Sequence, residues 1–197
     1  MESMVKKIAR EFFLFLSIPK AIRFFKKRSR IESPDPKKEV GLVFDWEQKV
    51  PFLRIKLNIR PIQKKIELLR LFGFLQEKQL HTLCEIGTAR GGLLYLFTRM
   101  ASSNANIVSI DLPKGRFGGG YPAWKIPLYR SFARMEQRIR LIRGDSHNTS
   151  VKERLRDELK DSSLDLLFID GDHSYEGVKK DFEMYSPLVK REGVVGF

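Results

Sequence analysis

The chain has 197 residues, enough for one domain with a real core, and its 42% hydrophobic content argues against wholesale disorder. The single cysteine, Cys84, excludes an internal disulfide framework and a multi-cysteine zinc site, and it points to the cytosol. The net charge of +13 is uneven: residues 1–30 hold nine Lys/Arg against Glu2 and Glu11, so over half the excess marks one end of the chain.

Residues 4–28 read as an amphipathic helix, with Met4, Ile8 and Phe12 in register between Lys6, Lys7 and Arg10. Phe12–Ile18 is too short to cross a bilayer and lacks a small-residue cleavage site. Two readings are open for this basic leader: it lies on an anionic membrane surface, or it packs as an extra helix with its basic face solvated. Ser33-Pro34-Asp35-Pro36 reads as a linker. The expected organisation is therefore a basic helical extension over 1–36 and an α/β domain over 37–197. Residues 40–60 show no clean period. Ile62–Phe74 reads as a helix with Ile62, Ile66, Leu69 and Phe72 on its apolar face.

From Thr82 strands and helices alternate. Thr82–Ile86 is a strand and Arg90–Ala101 a helix. Asn106–Ile110 is a second strand, ending at Asp111, and 123–137 a helix carrying Leu128, Phe132 and Met135. Ile139–Ile142 is a third strand, ending at Gly144-Asp145. Ser150–Glu153 reads as a capping box opening a helix with Val151, Leu155 and Leu159 on one side. Leu164, Leu166, Leu167, Phe168 and Ile169 form a short apolar run suited to a strand, Leu164–Ile169, buried on both faces. A helix follows, with Tyr175, Val178, Phe182, Tyr185 and Leu188 as its stripe, and Gly193–Phe197 begins a fifth strand. Such alternation predicts a Rossmann-like, doubly wound parallel sheet. The pattern stops inside the fifth strand, which reads as a truncated domain or one completed by another chain, as in a homo-oligomer.

Ligands of open α/β sheets bind at the carboxyl ends of strands. There the first strand turns through Glu85-Ile86-Gly87-Thr88-Ala89-Arg90-Gly91-Gly92. Its glycine spacing is neither G-x-G-x-x-G nor a Walker loop, and an acid at Glu85 repels a pyrophosphate. Asp111 is placed to accept from ribose hydroxyls, and Asp145 to orient a base or an amine. Three acids at three successive strand ends suit a cationic nucleoside without phosphate, and S-adenosylmethionine is such a ligand. The fourth strand breaks into Asp170-Gly171-Asp172-His173, where Asp172 or Ser174 also suits the role of helix cap. Tyr121 and Trp124, in the loop Lys114–Lys125, either cover a bound ring or tuck into the domain. His147 reads as a turn residue and Cys84 as a small buried hydrophobe.

Glu85–Gly92, Ser109–Pro113, Gly118–Pro122, Gly144–His147 and Phe168–Tyr175, in this order, resemble class I S-adenosylmethionine-dependent methyltransferases. Within that class they resemble the group of cephalosporin hydroxylase-like proteins and macrolide-sugar O-methyltransferases. The resemblance spans about residues 62–197. It implies a seven-stranded sheet, five strands of which lie here, and cofactor contacts at Glu85, Gly87, Thr88, Gly91, Asp111 and Asp145. It also implies magnesium on Asp170, with His173 as the base that deprotonates a hydroxyl. The family's other metal-binding acids follow the fifth strand, beyond Phe197. The expectation is a cytoplasmic O-methyltransferase, peripheral at the membrane through residues 1–30, acting on a sugar or other small molecule. The alternative is a degenerate, non-catalytic binding module. Nucleic acid is disfavoured as a substrate by the absence of an Asn/Asp-Pro-Pro-Tyr/Phe signature.

Overall fold

Five β-branched and leucine-rich segments form the strands: β1 (Thr82–Ile86), β2 (Asn106–Asp111), β3 (Arg138–Arg143), β4 (Leu164–Ile169) and β5 (Val189–Gly196). A computed structural model describes residues 17–46, 58–115 and 120–197. The strands pair in the order β3-β2-β1-β4-β5, every neighbour parallel. The chain runs outward from β1 through β2 to β3, then returns to lay β4 on the other side of β1. That reversal puts a crevice beside the β1 carboxyl end.

Side-chain alternation along each strand feeds two cores. Leu83, Ile107, Leu166 and Phe168 point into the larger one, while Cys84, Val108, Leu167 and Ile169 point into the smaller. The larger core is covered by helices α1 (17–28), α2 (Pro36–Phe44), α3 (Lys65–Leu75), α4 (Gly92–Met100) and the short α5 (Ile126–Arg130). The smaller is covered by α6 (Thr149–Leu159) and α7 (Tyr175–Tyr185). The sheet is thus doubly wound, and all six β4 residues are buried, as a central parallel strand requires.

The described part of the basic leader packs on the domain. Phe25 of α1 is wholly buried, stacked on Trp46 with centroids 5.3 Å apart and edge-on to Phe132 at 4.5 Å. Arg28 turns inward, donating to Tyr95 Oη at 2.9 Å and pairing with the buried Glu39. Residues 1–16, which carry Met4, Ile8 and Phe12, lie outside the described residues. The Pro34–Pro36 stretch is no free linker, because Asp35 accepts from the Lys37 and Lys38 amides and caps α2, whose first residue is Pro36.

Several elements depart from the sequence reading. The helix expected over 123–137 is a 3₁₀ turn (Ala123–Lys125) followed by α5, ending at Arg130. Tertiary hydrogen bonds take over beyond it: Gln137 Nε2 donates to the Thr98, Ala101 and Ser102 carbonyls, while Met135 adopts a φ of 51° and stays exposed. In α3 the buried face runs through Leu68, Phe72 and Leu75, leaving Ile62 and Ile66 outside. In α7 it runs through Gly177, Asp181 and Tyr185, leaving Tyr175 and Phe182 exposed. Asn148, rather than Ser150, caps α6 by accepting from the Ser150 amide. β5 starts at Val189, four residues early, because an irregularity lets Leu164 pair with Val189 and Leu166 with Val194.

Candidate functional site

The loops after β1, β2, β3 and β4 enclose a cavity of about 260 Å³ at the carboxyl end of the sheet. Among the residues lining it are Gly87, Gly120, Gly144 and Gly171 and the acids Asp111, Asp145, Asp170 and Asp172. Gly87 is required where it stands. Its φ is +95°, and a Cβ there would lie 2.1 Å from the Asp170 carbonyl oxygen. This close approach of the β1 and β4 loops is held by Asp170 N donating to Ile86 O at 2.7 Å.

Asp111 ends β2 with its carboxylate accepting from the Tyr121 amide at 3.2 Å. Burial pushes its pKa up to about 6, against the opposing pull of the Tyr121, Leu112 and Ala89 amides and of Arg143. Asp145 is exposed and accepts from the His147 amide at 2.9 Å. Asp170 lies at the end of β4, its pKa raised by burial and held back by His173 and by the Gln63 amide. Gln63 Nε2 donates to Asp170 Oδ2 at 2.6 Å, and a second, smaller pocket formed with Arg60–Gln63 adjoins the same carboxylate. Asp172 accepts from the Ser174 amide at 2.8 Å, which holds its pKa down, and Ser174 itself caps α7. His173, the expected base, is exposed at the edge of this cluster, near enough to Asp170 and Asp172 to act on their charge.

The remaining first-turn residues are placed differently. Glu85 is wholly buried, with its pKa raised by burial, and accepts from Ser109 Oγ at 3.1 Å. The cavity wall is formed by its neighbours Ile86 and Gly87 rather than by Glu85. Thr88 hydrogen-bonds Ser109 and borders the smaller pocket. Gly91 caps α4 at φ +82°, where a Cβ would meet the Tyr129 ring at 2.5 Å. Of the loop aromatics, Tyr121 tucks inward against Tyr129 with centroids 4.9 Å apart, and Trp124 packs on the larger core. Cys84 is buried, as expected, and burial raises its thiol pKa.

Three participants escaped the sequence reading. His147 lines the cavity, with Nε2 3.2 Å from Gly177 O and 3.4 Å from Asp181 Oδ1. Asp181 is wholly buried behind it, its pKa raised by burial and opposed by Ser146 and His147. The signal for Asp181 was its spacing of four from Gly177 and from Tyr185, which puts a small residue, an acid and an aromatic on one helical face. Gln63 carries no such signal, since it meets Asp170 across 107 residues of sequence.

The donor set fits a cationic nucleoside: glycine backbone admits close approach, and acidic residues line the cavity. It does not by itself fit a metal ion. Among the described residues no group of three His, Cys, Asp or Glu is placed to hold one, and Asp170 Oδ2 is engaged by Gln63.

Residues 84–197 match a family model described as a methyltransferase domain. The match covers more than half of the chain, which belongs to that family, and its fold is that of class I S-adenosylmethionine-dependent methyltransferases. An uncharacterized protein, y4gI, of Sinorhizobium fredii (strain NBRC 101917 / NGR234) is 30% identical over 118 residues, 58% of this chain and 12% of that protein. Among solved structures, the MycE methyltransferase of the mycinamycin biosynthetic pathway, in complex with Mg and SAH, superposes with a TM-score of 0.51 at 18% identity, covering 83% of this chain and 39% of MycE. The O-methyltransferase TomG of Streptomyces achromogenes, involved in tomaymycin synthesis and bound to SAM, gives 0.51 at 14%, covering 84% of this chain and 65% of TomG. The chain thus spans less than two thirds of the length of each of these three proteins.

Proposed function

We propose that this chain is part of an enzyme that transfers the methyl group of S-adenosylmethionine to a hydroxyl oxygen of a small molecule, a sugar foremost. The observation that carries the reading is a cavity at the strand carboxyl ends lined by four glycine-bearing turns and by Asp111, Asp145, Asp170 and Asp172. Bound there, the cofactor supplies an electrophilic methyl on a sulfonium centre. Asp111 accepts from the ribose hydroxyls, and Asp145 accepts from the amine of the base. Gly87 lets the β1 turn approach the ligand where any side chain would collide with Asp170. His173, at the rim, takes the proton from the acceptor hydroxyl as its oxygen attacks, and Asp170 favours the resulting imidazolium. MycE, of the mycinamycin biosynthetic pathway, and TomG, involved in tomaymycin synthesis, support a small-molecule acceptor. We place the activity in the cytoplasm.

No step here runs through magnesium. The metal seen in MycE makes it a reagent to test, with Asp170 Oδ1 as the candidate ligand atom, since Gln63 engages only Oδ2. The second reading, a cofactor-binding module without turnover, is favoured by the place of His173, which is exposed and does not line the cavity.

Calorimetric titration of S-adenosylmethionine into the purified chain, with and without magnesium, tests the site. Binding that is lost in Asp111→Ala supports the cofactor site. A folded protein that binds no cofactor overturns the proposal. Cofactor binding without methyl transfer to any hydroxyl acceptor, magnesium present, selects the non-catalytic module.

A further inference from the structure

Residues 17–30 hold six basic side chains and no acidic one, and the fold sorts them. Arg28 alone turns inward, to Glu39 and Tyr95. Lys20, Arg23, Lys26, Lys27 and Arg30 are exposed, and none of the five forms an ion pair with a described residue. Spacings of three and four place Lys20, Arg23 and Lys27 on one side of α1, with Arg30 extending the row past its end. The opposite side is committed, because Ala21 and Phe25 are wholly buried and Ile18, Ile22 and Phe24 pack on the same core. Of the acids next in sequence, Glu32 is exposed beyond the end of the row and Asp35 is occupied as the cap of α2 and by Lys38 at 3.9 Å, while Lys37 adds a further exposed positive charge.

We infer that the outward face of α1, through Lys20, Arg23, Lys26, Lys27 and Arg30, docks the protein on an anionic lipid surface by charge alone, its apolar side remaining in the core. This differs from an interfacial amphipathic helix, which must bury its apolar face in the bilayer. The row lies on one side of a single helix, beside no described groove, and its aromatic neighbours Phe24 and Phe25 face inward rather than outward to stack on bases. A row of exposed cations on a convex helix, with no outward aromatic to stack on a base, suits a headgroup plane better than a nucleic-acid backbone. The inference is independent of the methyl-transfer reading.

The test is co-sedimentation of the full chain with vesicles of phosphatidylcholine alone, or containing about 30% phosphatidylserine, as salt rises from about 0.05 to about 0.5 M. Each basic residue at such a surface contributes about fivefold in partitioning. The triple variant Lys20→Ser/Arg23→Ser/Lys27→Ser, with an unchanged melting temperature, is therefore expected to bind anionic vesicles about 100-fold more weakly. A control triple variant at the exposed Arg154, Lys179 and Lys180 is expected to bind like the parent. The inference is overturned if anionic vesicles are not bound at low salt, if neutral vesicles bind equally, or if the α1 variant binds like the parent. It is also overturned if loss follows only from deleting residues 1–16, or if the row binds duplex RNA or DNA and ignores vesicles.

Discussion

Asp111 carries opposing demands. Burial raises its pKa to about 6 from 3.8, so the folded state holds the proton more tightly than the unfolded chain does. The sign follows by linkage: stability is lost as pH rises from the unfolded value through about 6, where the carboxylate must ionise in place. Ligand hydroxyls reward the same ionisation, so cofactor affinity is expected to rise between pH 5 and 7, read by calorimetry (pH values approximate). Replacement by alanine, removing charge-assisted hydrogen bonds, is expected to weaken binding by about 10- to 100-fold. Lys125 presents the reverse case. Burial, with the Arg90 charge adding to it, lowers its pKa to about 8 from 10.5, while Asp111 opposes. Below about 8 the ammonium is charged in both states and its full penalty falls on the fold, fading as pH climbs to the unfolded value of 10.5. Lys125→Met is therefore expected to stabilise the protein by about 1–2 kcal/mol at neutral pH, once the lost Tyr129 hydrogen bond is offset, and by nothing above pH about 10.5. Paired thermal melts at neutral and high pH would check it.

At the level of elements, α1 is part of the folding unit rather than an appendage. Phe25 sits among Trp46, Tyr95 and Phe132, so Phe25→Ala is expected to cost about 3–5 kcal/mol in urea unfolding, against almost nothing for a loosely attached helix. Elements differ in how openly their sequences announce them. β4 was legible because a strand buried on both faces is mostly apolar, as Leu164 and Leu166–Ile169 are, while its one acid, Asp165, accepts from the His81 and Thr82 amides and pairs with Lys190. β1 and β2 were legible from shorter apolar stretches, Leu83-Cys84 and Ile107-Val108, each leading to an acid near the strand's carboxyl end. The faces of α3 and α7 were not, because each offers two competing apolar stripes and only neighbouring elements decide between them. In α7 the winning face holds Asp181, a residue that any hydrophobicity count rejects, kept there opposite His147. The truncation of the 123–137 helix was hidden too, since Gln137 and Arg134 find their carbonyl partners on α4, at its end and beyond α1.

The whole molecule assembles its site from pieces remote in sequence. The β1/β4 reversal brings Gly87 against Asp170, β2 supplies Asp111, and β3 leads to Asp145. Carboxylates ending successive strands could be read from sequence once alternation was seen, because strand ends converge at one edge of a parallel sheet. The partnership of Gln63 with Asp170 could not, since it depends on how the segment before α3 crosses that edge. Cys84 lies at the middle of this architecture, buried in β1 beneath the smaller core, with its thiol pKa raised by burial. An aromatic disulfide reagent should therefore leave the native protein untouched and titrate one thiol only after denaturation. A cysteine introduced on the outer face of α1 would then be the sole reactive thiol, so a fluorophore or spin label could be attached there without first removing the native one.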